Sequence, residues 1–296
     1  KRGHTIDFYT FEGFVYPEDL FQYTHFNYHA VPSQDDIHDR LPSVLQKVAG
    51  KVLSDYFYYR QMGDIGALVR DHHAAQPFDA MMFLGTTPQC TVPEELPVIA
   101  WVQGPPQTEW EAIRSLRNQI VTWCGPALYL KLKAYYAFKR RAARTELARA
   151  DRIVCGSEWS RQQIIRFGQA PETVFGLPYP FDLDLFAQHP PRNEKPYRFL
   201  WLGRIDPRKR LDLMLDGFTH LHNKRSDIHL HIVGRTSYAS GYMQMIEQFA
   251  HPEHLTYTDF VPRENVADLI AGSDIIVQPS MSENFGSSVA EALACG

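Results

Sequence analysis

Cysteine is scarce in this chain of 296 residues: there are four, at positions 90, 124, 155 and 295, and no two make a Cys-x-x-Cys pair. A disulfide scaffold and a cysteine-knuckle metal site are therefore excluded, and the thiols are expected to be buried or free in a reducing compartment. The sequence also lacks an apolar run long enough to cross a bilayer and a basic-then-apolar leader, so the expected location is the cytoplasm. Excess charge is missing too. With 30 Lys and Arg against 34 Asp and Glu, the formal net charge is -4, which argues against general nucleic-acid binding and leaves only local basic patches for phosphate. Internal repeats and low-complexity tracts are absent. What remains, 44% hydrophobic and 22% charged residues, is the composition of a soluble globular chain large enough for two domains.

Two apparent metal signals do not hold. The 13 histidines include His72-His73, His229-x-His231 and His251-x2-His254. None of these spacings supplies the third ligand and ordered surroundings that a zinc site needs. Asp182-Leu183-Asp184 has the spelling of a carboxylate metal motif. It lies in a proline-broken stretch with no acidic neighbour to complete a hard-cation site, and reads as a turn with exposed carboxylates. No metal or cofactor is expected.

The most specific segment runs from Pro279 to Ala292, where Glu283 sits in a loop containing Gly286 and Glu291 lies seven residues beyond it inside a helix. A loop passing through a glycine into a helix offers backbone N–H groups and the positive end of a helix dipole, which suits an anion or a sugar hydroxyl. Glu291, one turn past Ser287, is placed to accept from a diol such as a ribose. The plainer reading is a capped helix with two solvated carboxylates. Upstream, a strand pattern at Tyr197–Leu202 leads into Gly203-Arg204-Ile205-Asp206-Pro207-Arg208-Lys209-Arg210. A helix follows, with Leu211, Met214, Leu215, Phe218 and Leu221 along one stripe. A glycine at a strand's carboxyl end followed by cations is a setting for a diphosphate, and a basic surface turn is the competing account. Strand patterns at 228–233, 255–260 and 274–277 alternate with helical patterns near 240–250 and 263–272. This is a βαβα series, hence an α/β fold with a parallel sheet covered on both faces.

Ser282-Glu283-Asn284-Phe285-Gly286 with Glu291, and Gly203-Arg204 with Lys209, together resemble the Glu-x7-Glu and Gly-Arg-x4-Lys signatures of retaining GT-B glycosyltransferases of family 4. Arg210 stands where that pattern usually has Gly. The resemblance implies two Rossmann-like domains facing a central cleft, taken as residues 1–188 on the acceptor side and 197–296 for the nucleotide-sugar, joined by a linker at 189–196. It implies that Arg204 and Lys209 hold the diphosphate without a metal and Glu283 orients the sugar. Gly203, Val261, Asn284, Phe285, Gly286 and Glu291 would complete the donor site, the backbone N–H groups of 284–286 on sugar hydroxyls and the Phe260-Val261-Pro262 turn beside the base. The activity implied is transfer of a sugar from a nucleotide-sugar donor to a glycan, lipid or small-molecule acceptor. A non-catalytic nucleotide-sugar-binding paralogue or partner subunit is the alternative, and an epimerase of the same fold a further one.

In the first half, strand patterns at 5–9, 80–84, 97–102 and 152–155 suit the same architecture, with Ser157 placed to cap the next helix. Val98–Val102 ends in Gln103-Gly104-Pro105-Pro106. Relatives often carry His-Gly there, so Gln103 and Gly104 are cleft candidates that cannot titrate, or simply a tight turn. Residues 128–144 mix Tyr, Leu and Phe with six cations, a pattern of either a helix lying on an anionic membrane or a solvated basic flank. The solvated basic flank is the preferred reading, and peripheral contact with the cytoplasmic face of a membrane is the alternative. The pattern at both ends, a helix close and cap at Lys1–His4 and a stop at Gly296, suggests a fragment lacking a first strand and the closing elements.

Overall fold

The structure is a computed structural model that describes residues 4–11, 25–31, 62–85, 87–180, 182–186, 194–235 and 240–296. The helix close expected at Lys1–Gly3 and residues 189–193 of the expected linker lie outside these. Contacts group the chain into two units, residues 1–101 with 145–153 and residues 102–144 with 154–296.

In the first unit, β1 (Ile6–Phe11) and β2 (Phe26–Val31) pair in parallel, Ile6 opposite Phe26 through to Phe11 opposite Val31. A helix α1 over 62–75 precedes β3 (Met81–Leu84), which pairs in parallel with β4 (Val98–Val102), Met81 opposite Val98. Met62, Ile65 and Val69 recur at helical spacing on α1 and bury with Phe83, Leu96 and Val98. The Asp151 carboxylate accepts the Val98 N–H at 2.8 Å while the Asp151 N–H donates to the Val98 carbonyl at 2.9 Å, fixing where β4 begins.

The second unit holds α2 (Pro106–Ser115), most of α3 (Arg117–Leu147), and the end of β5 (Arg152–Cys155). It continues with α4 (Glu158–Arg166), β6 (Val174–Gly176), β7 (Tyr197–Leu202), α5 (Leu211–His222), β8 (Ile228–Val233) and α6 (Ser240–Glu247). The last elements are β9 (Leu255–Thr258), α7 (Arg263–Ala271), β10 (Ile275–Ile276) and α8 (Ser287–Cys295). Proline and glycine punctuate it as their backbones require: α3 kinks at Gly125, whose φ is 83°, followed by Pro126. Ser157 caps α4, its hydroxyl accepting the Ser160 N–H at 3.2 Å.

Strands β7 to β10 form a parallel sheet in the order β10-β7-β8-β9. Alternation within β8 explains its two faces: Ile228, Leu230 and Ile232 bury with Trp201 and with Leu211, Met214, Leu215 and Phe218 of α5. The other face of the sheet carries Leu200 and Val233 against Ala267 and Ile270 of α7 and Cys295 of α8. There His229 and His231 reach across to the Thr256 and Thr258 hydroxyls at 2.8 and 2.9 Å. Strand β9 is shorter than its apolar pattern suggests. Its ladder ends where Thr258 accepts the Gly234 N–H, and Asp259 and Phe260 turn outward, Phe260 being 62% exposed. Because β10 returns to the opposite side of β7 from β8, strand order reverses between β7 and β10. In open parallel sheets the loops at such a reversal diverge and leave a crevice at the carboxyl ends.

His222, at the end of α5, packs against the tilted rings of His251 and His254 with ring centroids 4.0 and 4.3 Å away. Desolvation lowers the pKa of His222, with His251 and His254 adding to it, and desolvation lowers His229 and His231 as well. A base kept neutral by the fold is protonated first in the unfolded chain. These residues therefore favour the fold above the ordinary histidine value of 6.5 and lose that contribution as the pH falls below it. Urea unfolding is expected to show a lower midpoint at about pH 5.5 than at about pH 7.5, and His222→Leu to narrow the gap. An unchanged gap in that variant contradicts the assignment.

Candidate active site

At the carboxyl ends of β7 and β10 lies a cleft of about 860 Å³, within the range of small-molecule sites, and every residue lining it belongs to the second unit. Its floor is built by the turn after β7. Asp206 is almost fully buried, and its Oδ1 accepts the Arg208 and Lys209 N–H groups at 3.0 and 3.3 Å, capping a single turn at Pro207–Lys209. Its Oδ2 meets Arg204 Nε at 3.2 Å. One carboxylate thus sets both cations that the sequence singles out. Asp206 itself was not singled out, although an Asp directly before a Pro is a helix-start signal.

Arg210 ends this turn at φ 54° and ψ 47°, the one non-glycine residue with positive φ among the described residues. The chain therefore keeps the left-handed conformation for which a glycine is suited. Its guanidinium forks onto the Asp212 carboxylate with contacts of 2.9 to 3.1 Å. Close backbone approach also occurs, but at a different glycine from the one expected: a Cβ on Gly234 would fall 1.8 Å from the Gly203 carbonyl oxygen, whereas at Gly203 the nearest atom would be Lys209 Cε at 3.9 Å. Gly234 is thus what lets the loops after β7 and β8 lie against each other.

Over this floor hangs the loop from β10 to α8. Lys209 Nζ contacts Glu283 Oε1 at 2.5 Å, and Gln278 Nε2 donates to the same oxygen at 2.9 Å. Burial pushes the Glu283 carboxyl up, but Lys209 and the hydrogen bonds from Ser280 and Gln278 outweigh it and hold the group below the usual carboxylate range. Arg208, which the sequence did not single out, lies inside the cleft beside Lys209. It donates from Nη1 to the Ser282 carbonyl at 2.8 Å, and its own carbonyl accepts the Met281 N–H at 2.8 Å. Arg204, by contrast, is more than half exposed at the rim.

Gly286, at φ 80°, turns the chain into α8 without a side-chain cap. Glu291, one turn in, is nearly buried, and Arg263 Nη1 stands 3.6 Å away. Burial raises the Glu291 carboxyl and Arg263 partly opposes the rise. Asn284 is buried with its side chain fully engaged. Oδ1 accepts the Gly156 N–H at 3.2 Å, Nδ2 donates to the Val102 carbonyl at 3.3 Å and to the Tyr179 hydroxyl, and the Asn284 carbonyl accepts from Ser160 Oγ at 3.2 Å. This residue pins the loop to β5 and α4, a role that sequence spacing did not reveal.

Val261, Phe285, Gln103 and Gly104 also line the cleft, so it is lined by every catalytic, donor-site and cleft candidate that the resemblance implied except Pro262. Arg235 instead pairs with Asp259 at 3.5 Å and lies over the Phe260 ring at 4.9 Å. Asp182 Oδ1 accepts the Asp184 and Leu185 N–H groups at 3.0 and 3.1 Å, a local turn away from the cleft. Among the described residues, no group of three or more His, Cys, Asp or Glu is arranged to hold a metal ion.

Residues 184–296 match the family described as glycosyl transferases group 1. A mycobacterial relative, the GDP-mannose-dependent alpha-(1-6)-phosphatidylinositol dimannoside mannosyltransferase of Mycobacterium tuberculosis, is 30% identical over 160 residues, 50% of this chain and 40% of its own. The chain thus spans well under half the length of that relative. Sucrose-phosphate synthase from Thermosynechococcus elongatus superposes with a TM-score of 0.66 at 13% identity, over 99% of this chain and 70% of the other. Anabaena HepE in complex with UDP-glucose does so with 0.56 at 15% identity, over 94% and 67%. The fold is that of the GT-B glycosyltransferases.

Arg210 gives a direct test of the backbone reading. Arg210→Ala and Arg210→Gly both lose the Asp212 pair, but only the alanine must occupy the left-handed region. The glycine variant is expected to be more stable in urea by about 1 kcal/mol. Equal stability would show that the turn does not hold this conformation in solution.

Proposed function

We propose that the protein is a retaining glycosyltransferase that moves a sugar from a nucleotide-sugar donor to a glycan, lipid-linked or small-molecule acceptor. The observation that carries this reading is the pairing of Lys209 with Glu283 in a cleft at the reversal of strand order. A cation suited to a departing diphosphate and a carboxylate suited to sugar hydroxyls lie in direct contact there.

In this reading Arg204 and Lys209 stabilise the charge that grows on the leaving diphosphate as the sugar C1–O bond breaks. The diphosphate competes for Lys209 and releases the Glu283 carboxylate to the sugar, while Glu291 takes the ribose hydroxyls. Backbone N–H groups of Asn284, Phe285 and Gly286 face the sugar, Gly203 the phosphates, and Val261 the base. Gln103 and Gly104 close the sugar side. The acceptor oxygen bonds to C1 on the face the diphosphate leaves, and its proton passes to a departing phosphate oxygen, so no side chain is assigned as base. No metal takes part, since cations already hold the charge. Residues 1–188 serve as the acceptor-side domain and 197–296 as the donor-side domain. The protein works at the cytoplasmic face of a membrane through 128–144, where Leu130 and Phe138 are 60% and 51% exposed among exposed Lys133, Arg141 and Arg144.

With full-length protein and UDP-glucose or GDP-mannose as donors, Arg204→Ala and Lys209→Ala are each expected to lose about 2 to 4 kcal/mol of transition-state stabilisation, read as kcat/KM. Unchanged turnover in both variants removes the diphosphate assignment. A chelator is expected to leave activity intact; loss restored by magnesium or manganese would reverse the metal-independent reading.

A further inference from the structure

The cleft contains a second cation–carboxylate pair that the proposed reaction does not use. Glu109, in the first turn of α2, brings Oε1 to 3.3 Å from Arg208 Nε. Helix α2 is itself anchored, because the almost fully buried Gln107 donates to the Gln163 carbonyl of α4 and Thr108 Oγ1 to the Pro105 carbonyl at 2.7 Å. On its other side Arg208 holds the loop: Nη1 reaches the Ser282 carbonyl at 2.8 Å and stands 3.9 Å from Glu283 Oε2. Glu283 therefore has a cation beside each oxygen, Lys209 at 2.5 Å on one and Arg208 at hydrogen-bond-plus distance on the other.

This arrangement matters once Lys209 is drawn to donor phosphates. Without Glu109, Arg208 would be left with Asp206 and Glu283 as its nearby carboxylates, and it would close the remaining gap to Glu283 and take the carboxylate that the sugar needs, since an under-compensated cation inside a cleft is costly. A carboxylate on its far side removes that pull and keeps the fork on the Ser282 carbonyl.

We propose that Glu109 is a positioning residue for Glu283: acting through Arg208, it holds the Met281–Glu283 loop in place and prevents Arg208 from collapsing onto the Glu283 carboxylate. The kinetic half of this statement rests on the transferase reading; the structural half does not.

The experiment therefore has two readouts. Met281 lies in the loop and its N–H donates to the Arg208 carbonyl. In full-length protein labelled with ¹³C-methyl methionine, the Met281 signal, assigned with Met281→Leu, is expected to shift in Glu109→Gln and in Arg208→Met. In the double variant it is expected to move no further than in Arg208→Met alone. An unmoved signal in Glu109→Gln, or additive shifts, overturns the proposal; thermal melts of each variant identify any that have simply failed to fold, and Arg208→Lys then replaces Arg208→Met. With UDP-glucose or GDP-mannose, Glu109→Gln is expected to lower kcat by about tenfold or more while donor KM stays within about twofold. A raised KM with unchanged kcat would make Glu109 a ground-state contact and overturn the positioning role. If the unmodified protein turns over neither donor, the transferase reading fails while the Met281 shifts still decide the pair.

Discussion

Because β10 returns beside β7 instead of continuing outward from β9, two loops far apart in the chain end next to each other. The turn after β7 carries the cations and the loop after β10 carries Glu283, some 74 residues on. Neither loop makes a site alone. A parallel sheet covered on both faces leaves only its carboxyl edge free for ligands, and the reversal of order is the one place where the crossover connections part. The buried Asp206, the left-handed Arg210 and the close approach of Gly203 and Gly234 all serve to fix one wall of that crevice.

The cleft is also an electrostatic compromise. Arg204, Arg208 and Lys209 face Glu109, Asp206 and Glu283, so each cation has a carboxylate within 2.5 to 3.3 Å. Such pairing avoids the cost of leaving several like charges together in a partly desolvated space. It also means that an anion reaching these cations must displace a carboxylate already paired with them. Burial sets the carboxylates apart: Glu283 stays ionised beside Lys209, whereas Glu109 and Glu291 are raised, chiefly by desolvation.

Asn284 shows how a loop can serve both architecture and chemistry. Its side chain accepts the Gly156 N–H and donates to the Val102 carbonyl, which also accepts from the Tyr179 hydroxyl at 3.4 Å. A Cβ at Gly156 would come within 3.0 Å of Asn284 Nδ2 and Phe285 Cβ, so that glycine is part of the same fit. The loop presenting Glu283 is thereby held from α4 and β5 as well as from the β7 turn.

The family resemblance implied that Arg204, Lys209, Glu283, Glu291 and Gly286 meet in one place; the sequence by itself determined the βαβα order, the amphipathic stripe of α5 and the Ser157 cap. These are legible because they depend on local periodicity, capping chemistry and motif spacing, which act over a few residues. Only the tertiary structure decided that Arg208 and not Arg204 lies deepest with Lys209, that Glu109 closes the circuit, and that Asn284 is a pin. Each of these depends on which side chains meet across 74 to 182 residues of chain, or on how far a carboxylate is withdrawn from water. Distances and desolvation of that kind arise from packing, and no short-range pattern of residues encodes them.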